Sequence, residues 1–170
     1  MAILNVEIKA QCVDPNRIKE ILNERQAKFI GIDHQVDTYF KVPKGRLKLR
    51  EGNIEHSLIH YVRPDQTGPK QSQVHLYHPA KDAGLKEVLT YALGIFIVVD
   101  KQRAIYFIDN VKFHLDHVKD LGAFVEIEAI DKDGTIGKDK LLEQCHFYLT
   151  LFKISDKDLV EKSYSDMLQP

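Results

Sequence analysis

The chain has no tryptophan and only two methionines and two cysteines in 170 residues. Cys12 and Cys145 stand far apart, which excludes a disulfide framework or a zinc ribbon, and both read as reduced, buried thiols. An excess of charge of one sign is also missing, since 24 Lys+Arg against 25 Asp+Glu leave a net charge of −1. A general nucleic-acid binder is usually clearly basic, and the few aromatics do not interleave with a basic stripe. The longest apolar run, "LGIFIVV" at 93–99, is too short for a membrane-spanning helix. The opening "MAILNVEIKA" lacks the cationic flank and long apolar core of a signal peptide. There is no Walker-type glycine loop, and Gly45, Gly52 and Gly68 read as turn residues. No repeat, linker or low-complexity tract divides the chain. The expectation is one cytoplasmic domain over residues 1–170, without nucleic-acid or membrane partners.

What is present is alternation. "ILNVEIKAQ" at 3–11 places Leu4, Val6, Ile8 and Ala10 on one face and Asn5, Glu7 and Lys9 on the other, as a strand does. Asp14 before Pro15 starts a helix; Ile18, Ile21, Leu22 and Phe29 carry its spacing to a stop near Gly31. Strands follow at 34–42, 46–50, 54–63 and 70–78, separated by "PKG", "EGN" and "PDQTGPK". A short amphipathic helix covers 81–92, and three long strands run over 95–108, 111–118 and 122–131. Thr135 is placed to cap a helix carrying Leu141, Cys145, Leu149 and Phe152; Ser155 with Asp158 forms a capping box for a last helix over 156–163. About eight strands joined mostly by tight turns make an antiparallel sheet, and one this wide tends to curl or close.

The polar faces of these strands are charged. Arg46, Lys48 and Arg50 share one face of "GRLKLREG", and Lys101 and Arg103 share another. Lys112, His114 and Asp116 lie together, as do Glu126 with Glu128 and Asn5 with Glu7 and Lys9. Each alone is an ordinary solvated strand face. Together, in a sheet closed with its apolar faces outward under helices, they line a wet, charged interior. Arg and Lys suit phosphate oxygens, and Glu and Asp suit hard divalent cations, so the inventory describes a metal–polyphosphate site. "HLYH" at 75–78 and "HLDH" at 114–117 do not chelate, because strand residues three apart point to opposite faces.

"NVEIKA", "VDTYFKVPKGRLKLREG", "LIHYVRPDQTGPKQS", "VDKQRAIYFIDNVKFHLDHVKDLGAFVEIEA" and "KSYSDML" resemble, in order and over nearly the whole chain, segments of the CYTH superfamily. These are the triphosphate tunnel metalloenzymes, and the wording is most similar to their class IV adenylyl cyclase branch. The resemblance implies an α+β fold: a closed eight-stranded antiparallel β-barrel, the triphosphate tunnel, with flanking helices. It implies conversion of ATP to cyclic AMP and pyrophosphate with Mg²⁺ or Mn²⁺. Hydrolysis of thiamine triphosphate or tripolyphosphate is the alternative within the superfamily, and a non-catalytic nucleotide- or polyphosphate-binding protein is the third reading. The partner is a nucleoside triphosphate or another polyphosphate, and a homodimer is compatible with the resemblance. By position, Lys9, Arg46, Lys48, Arg50, Arg63, Lys70, Lys101, Arg103 and Lys112 would hold phosphate. Glu7, Glu126 and Glu128 would hold metal, and Glu7, Lys9, Asp116 and Glu126 would make up the catalytic set. Two positions depart from the family pattern: Asn5 stands for the first Glu of the E-x-E-x-K strand, and Lys112 for an Arg.

Overall fold

The computed structural model describes residues 3–82 and 84–170. Its eight strands close into one antiparallel barrel: β1 (Ile3–Gln11), β2 (Lys28–Phe40), β3 (Arg46–Gly52), β4 (His56–Val62), β5 (Lys70–Tyr77), β6 (Ile95–Ile108), β7 (Val111–Val118) and β8 (Gly122–Asp131). The order around the barrel is β1-β5-β4-β3-β2-β6-β7-β8, and β8 pairs back with β1 from Leu4–Asp131 to Gln11–Phe124. Closure leaves no sheet edge to protect. It also sorts every strand into an outer and an inner row.

The apolar core lies outside the barrel. Val6, Ile8 and Ala10 of β1, Val125, Ile127 and Ala129 of β8, and Phe113 of β7 pack beneath α1 (Pro15–Glu24) and α3 (Lys138–Leu151). Leu141, Cys145 and Tyr148 of α3 meet this surface, and Phe113 stacks edge-on to Tyr148 at 4.7 Å between ring centroids. Burial of these side chains outside, at roughly 1.5–3 kcal/mol each, allows the inner rows to be polar. A second cluster closes one end: Tyr39, Val99, Val118, Phe124 and Tyr164 of the short helix α4 (Tyr164–Met167) pack together. The preceding segment is held by Val160, whose N–H donates to the Lys9 carbonyl, and by a bridge between Leu159 and Ala10. The barrel is therefore floored by the C-terminal segment.

Several boundaries differ from expectation. α1 ends at Glu24, and Phe29 belongs to β2, which starts at Lys28 rather than 34. Gly31 is not a helix stop. It has φ +147° beside a register shift in the β2–β6 ladder, and a Cβ there would lie 2.8 Å from Ile54 Cδ1. The helix expected over 81–92 is α2 (Gly84–Leu93), and its expected start includes Ala83, outside the described residues. Thr135 caps nothing: Gly137 precedes α3 without a side-chain cap, and the Asp131 carboxylate accepts the N–H groups of Gly134, Ile136 and Gly137. The Ser155–Asp158 capping box is present, but on a 3-10 turn of three residues, Asp156–Asp158. A separate cap, Ser163, starts α4.

Candidate active site in the barrel

The inner rows enclose a cavity of about 580 Å³. Nine lysine and arginine side chains line it against four glutamates. From the sequence set, Glu7, Lys9, Lys48, Arg50, Arg63, Lys101, Arg103, Lys112, Glu126 and Glu128 all face it. Of the three cations expected on one face of β3, Lys48 and Arg50 face the cavity, but Arg46 does not. Arg46 sits at the floor, 2.5 Å from Asp166 and 3.4 Å from Asp65. Lys70 is also drawn aside; its ammonium donates to the Glu161 carbonyl in the floor segment. Asp116 lies behind the wall, where both of its oxygens accept from Arg103, at 2.7 and 2.6 Å, and one also accepts from the Tyr164 hydroxyl at 2.7 Å.

Asp37 organises the cations. Arg50 donates to it twice, at 2.9 and 2.8 Å; Lys101 donates at 2.8 Å and Lys48 stands at 3.3 Å. Burial alone would raise the Asp37 carboxyl, but Arg50, Lys101 and Lys48 hold it well below the usual carboxylate range. Burial drives Lys101 down to about 7 against the pull of Asp37. Across the cavity, Glu126 is 3.7 Å from Lys9, 3.5 Å from Arg103 and 3.3 Å from His114 Nδ1. Its carboxyl, raised by burial, is pulled lower still by Lys9 and Arg103. Glu7 pairs with Arg63, and Lys9 stacks over the Tyr164 ring at 3.8 Å.

Four contributors went unread in the sequence. Asp33, Gln35 and Asp37 alternate along β2 with the same period of two that exposed the β3 cations, so Asp37 had a usable signal. Glu55 had none, because it lies in the β3–β4 turn. Asp33, fully buried, accepts the N–H groups of Ile54 and Glu55 and the Gln35 amide, and thereby fixes that turn. Glu55 is thus turned into the cavity, 3.0 Å from Arg50 and paired with Lys112. Burial would raise its carboxyl; Arg50 and Lys112 instead hold it far below the usual range.

The acidic residues suit a hard cation by chemistry. Asn5 Nδ2 donates to Glu128 at 2.6 Å, while the buried Asn5 Oδ1 has no hydrogen-bond partner among the described residues. An oxygen donor aimed beside carboxylates fits Mg²⁺ or Mn²⁺ better than a soft metal. The three glutamates are not gathered around one point, however. Among the described residues no three His, Cys, Asp or Glu side chains converge as a metal cluster. Glu7 and Glu126 would have to leave Arg63, Lys9 and Arg103 to share an ion with Glu128.

A closed antiparallel barrel with a charged interior, floored at one end and clothed by helices, defines the class. The chain belongs to the CYTH domain family, whose model matches residues 4–164. It is 27% identical to a protein of Methanocaldococcus jannaschii named "putative adenylate cyclase", over 97% of this chain and 98% of that one. A Vibrio parahaemolyticus structure with the same name shares the fold at a TM-score of 0.80, with 17% identity and 99% of each chain covered. A Hippeastrum protein described as a "putative adenylyl cyclase" with a dominant triphosphatase activity shares it at 0.59. That match has 12% identity and covers 96% of this chain and 93% of that one.

Proposed function

We propose that the protein is an adenylyl cyclase that converts ATP to cyclic AMP and pyrophosphate inside the barrel. The observation that carries this reading is the convergence of nine cationic side chains and four glutamates on one floored cavity. The name of the Methanocaldococcus jannaschii relative favours the cyclase among the reactions such a cavity can perform.

In this reading Arg50, Lys101 and Arg103 bind the β- and γ-phosphates, Arg by paired hydrogen bonds and Lys as a point charge. Asp37 and Asp116 are positioning residues that fix those cations from behind. Glu7, Glu126 and Glu128 would hold Mg²⁺ or Mn²⁺, which supplies charge neutralisation and Lewis-acid activation. The bond formed joins the ribose 3′-oxygen, which loses its proton to solvent in the wet cavity, to the α-phosphorus. The bond broken is from that phosphorus to the oxygen leading to the β-phosphate, which leaves as pyrophosphate. Positioning and fixed charge supply most of the acceleration, as the aligned groups cost no reorganisation during reaction.

A second reading, attack by water on the terminal phosphate, is favoured by the triphosphatase activity described for the Hippeastrum neighbour. Incubation with ATP, thiamine triphosphate and tripolyphosphate, each with Mg²⁺ or Mn²⁺, separates the two by chromatography of the products. Cyclic AMP with pyrophosphate is expected. ADP and phosphate would replace the cyclase with the hydrolase, and binding without turnover would leave a non-catalytic polyphosphate binder.

A further inference from the structure

The two histidines of "HLYH" at 75–78 point to opposite sides of the barrel wall. His78 lines the cavity and lies 3.3 Å from the His56 carbonyl. His75 points outward, because its neighbours Val74 and Leu76 are the cavity-facing residues of β5. Along the strand His75 has no chelating partner. Across the ladder it has one. In the β4–β5 pairing it stands directly opposite His60, which also faces outward, between cavity-lining Ile59 and Tyr61. The two ring centroids are 6.2 Å apart and the planes meet at 37°. A metal ion about 2.0–2.1 Å from one nitrogen of each ring holds the centroids roughly 5–6.5 Å apart. The backbone already supplies that spacing.

The His60 ring is also held in orientation. Its Nε2 lies 2.9 Å from the Lys44 carbonyl in the turn between β2 and β3. A carbonyl only accepts, so in the neutral ring Nε2 carries the proton and Nδ1 keeps a lone pair. A backbone carbonyl accepting from the second ring nitrogen is a usual partner of a metal-ligating histidine. His75 is exposed, so its ring can turn to present either nitrogen. Nothing else on this outer face accounts for the pair. Leu58 with Tyr77 and Val62 with Gln73 flank it in the ladder, and Leu47 stands beside His60 on β3. None of these is a carboxylate that would pair with an imidazolium.

We propose that His60 and His75 form a two-nitrogen site for a late transition-metal ion on the outer wall of the barrel, separate from the tunnel. Imidazole nitrogens suit Cu²⁺, Ni²⁺ or Zn²⁺, with water in the remaining positions, whereas Mg²⁺ and Mn²⁺ prefer the oxygen donors inside. A bound ion ties β4 to β5, which are joined only through the long loop at 63–69, and so stabilises the folded chain by mass action.

Calorimetric titration of the full chain with Ni²⁺, after treatment with chelator, tests the site. His60→Asn and His75→Gln, made separately, are each expected to weaken the binding of one equivalent at least about tenfold, since losing even an outer-shell partner costs a metal site that much. His78→Gln should leave that binding unchanged. The EPR spectrum of one equivalent of Cu²⁺ should show two coordinated nitrogens, and one in either single variant. Without metal, both variants should keep the urea midpoint of the unsubstituted protein, which excludes misfolding as the cause of a loss. Ni²⁺ binding that survives both substitutions, or that falls equally in His78→Gln, would overturn the proposal.

Discussion

Asn5 is the residue at which this barrel departs most from a carboxylate-lined site. Its amide nitrogen donates to Glu128 at 2.6 Å and its oxygen is left without a partner among the described residues. A glutamate there would add a charged oxygen ligand but would also face Glu128 with a like charge. Asn5→Glu is therefore expected to tighten Mn²⁺ binding in the presence of tripolyphosphate about tenfold, near 1.4 kcal/mol. Without ligand it is expected to lower the urea midpoint. Weaker metal binding would show that Asn5 is matched to this protein's own ligand. Lys101 gives a second residue-scale prediction. It lies 2.8 Å from Asp37, which favours the ammonium, yet burial and the neighbouring Arg50 and Arg103 bring it to about 7. The burial and the two arginines outweigh the single carboxylate, which Lys101 shares with Arg50 and Lys48. At pH 8 the free amine then predominates. A bound polyphosphate favours the charged form, so binding takes up a proton and affinity rises as pH falls from about 9 toward 7. Calorimetry at pH 8 in two buffers of different ionisation heat reads this uptake, and Lys101→Met should remove it.

At the scale of elements, the β3–β4 turn shows how a strand pair reaches into the site. Asp33 holds the turn through two backbone N–H groups, and Gly52 allows that approach: a Cβ there would meet the Glu55 carbonyl at 2.6 Å and the Asp33 oxygens at 2.7 and 2.8 Å. Backbone cannot swing aside as a side-chain tip can. Gly52→Ala is expected to cost about 1–3 kcal/mol and to release Glu55 from Arg50 and Lys112. A urea unfolding curve measures the first effect. The second should appear as tighter tripolyphosphate binding, since a competing carboxylate is withdrawn. The turn was also the least legible part of the sequence. Period-two alternation disclosed eight strands and their charged faces, because burial outside and charge inside repeat every second residue. It failed at the start of β2, where Phe29 continued the helical spacing of Ile18 and Leu22 and the bulge at Gly31 broke the alternation. It also could not place Glu55, whose direction depends on Asp33, 22 residues earlier. Arg46 and Lys70 share the alternation of their neighbours and still miss the cavity, because the floor segment draws them to Asp166 and to the Glu161 carbonyl.

The whole molecule stores like charge in a confined space, and the fold is arranged to tolerate it. The core outside the barrel, not the interior, supplies the apolar burial, so the cavity can remain wet. Buried cations are compensated by carboxylates: Arg50, Lys48 and Lys101 by the shared Asp37, Arg103 by Asp116, Arg63 by Glu7 and Lys112 by Glu55. Such pairs roughly offset their desolvation without adding much stability. They also leave an excess of cations facing the cavity. A polyanion that binds only the folded barrel relieves that excess and stabilises by mass action. At a hundredfold excess over Kd the gain is about 2.7 kcal/mol, which for a chain of this size raises Tm by roughly 5–10 °C. Differential scanning calorimetry with tripolyphosphate and Mg²⁺ should show this rise. Equimolar sulfate should give much less, because a single compact anion cannot bridge Lys48, Arg50, Lys101 and Arg103 together. The rise should shrink in Arg103→Ala, which removes a donor to phosphate and leaves Asp116 buried without its main partner. If tripolyphosphate and sulfate shift Tm alike in the unsubstituted protein, the cations act as a diffuse positive field and not as a site shaped for a chain of phosphates.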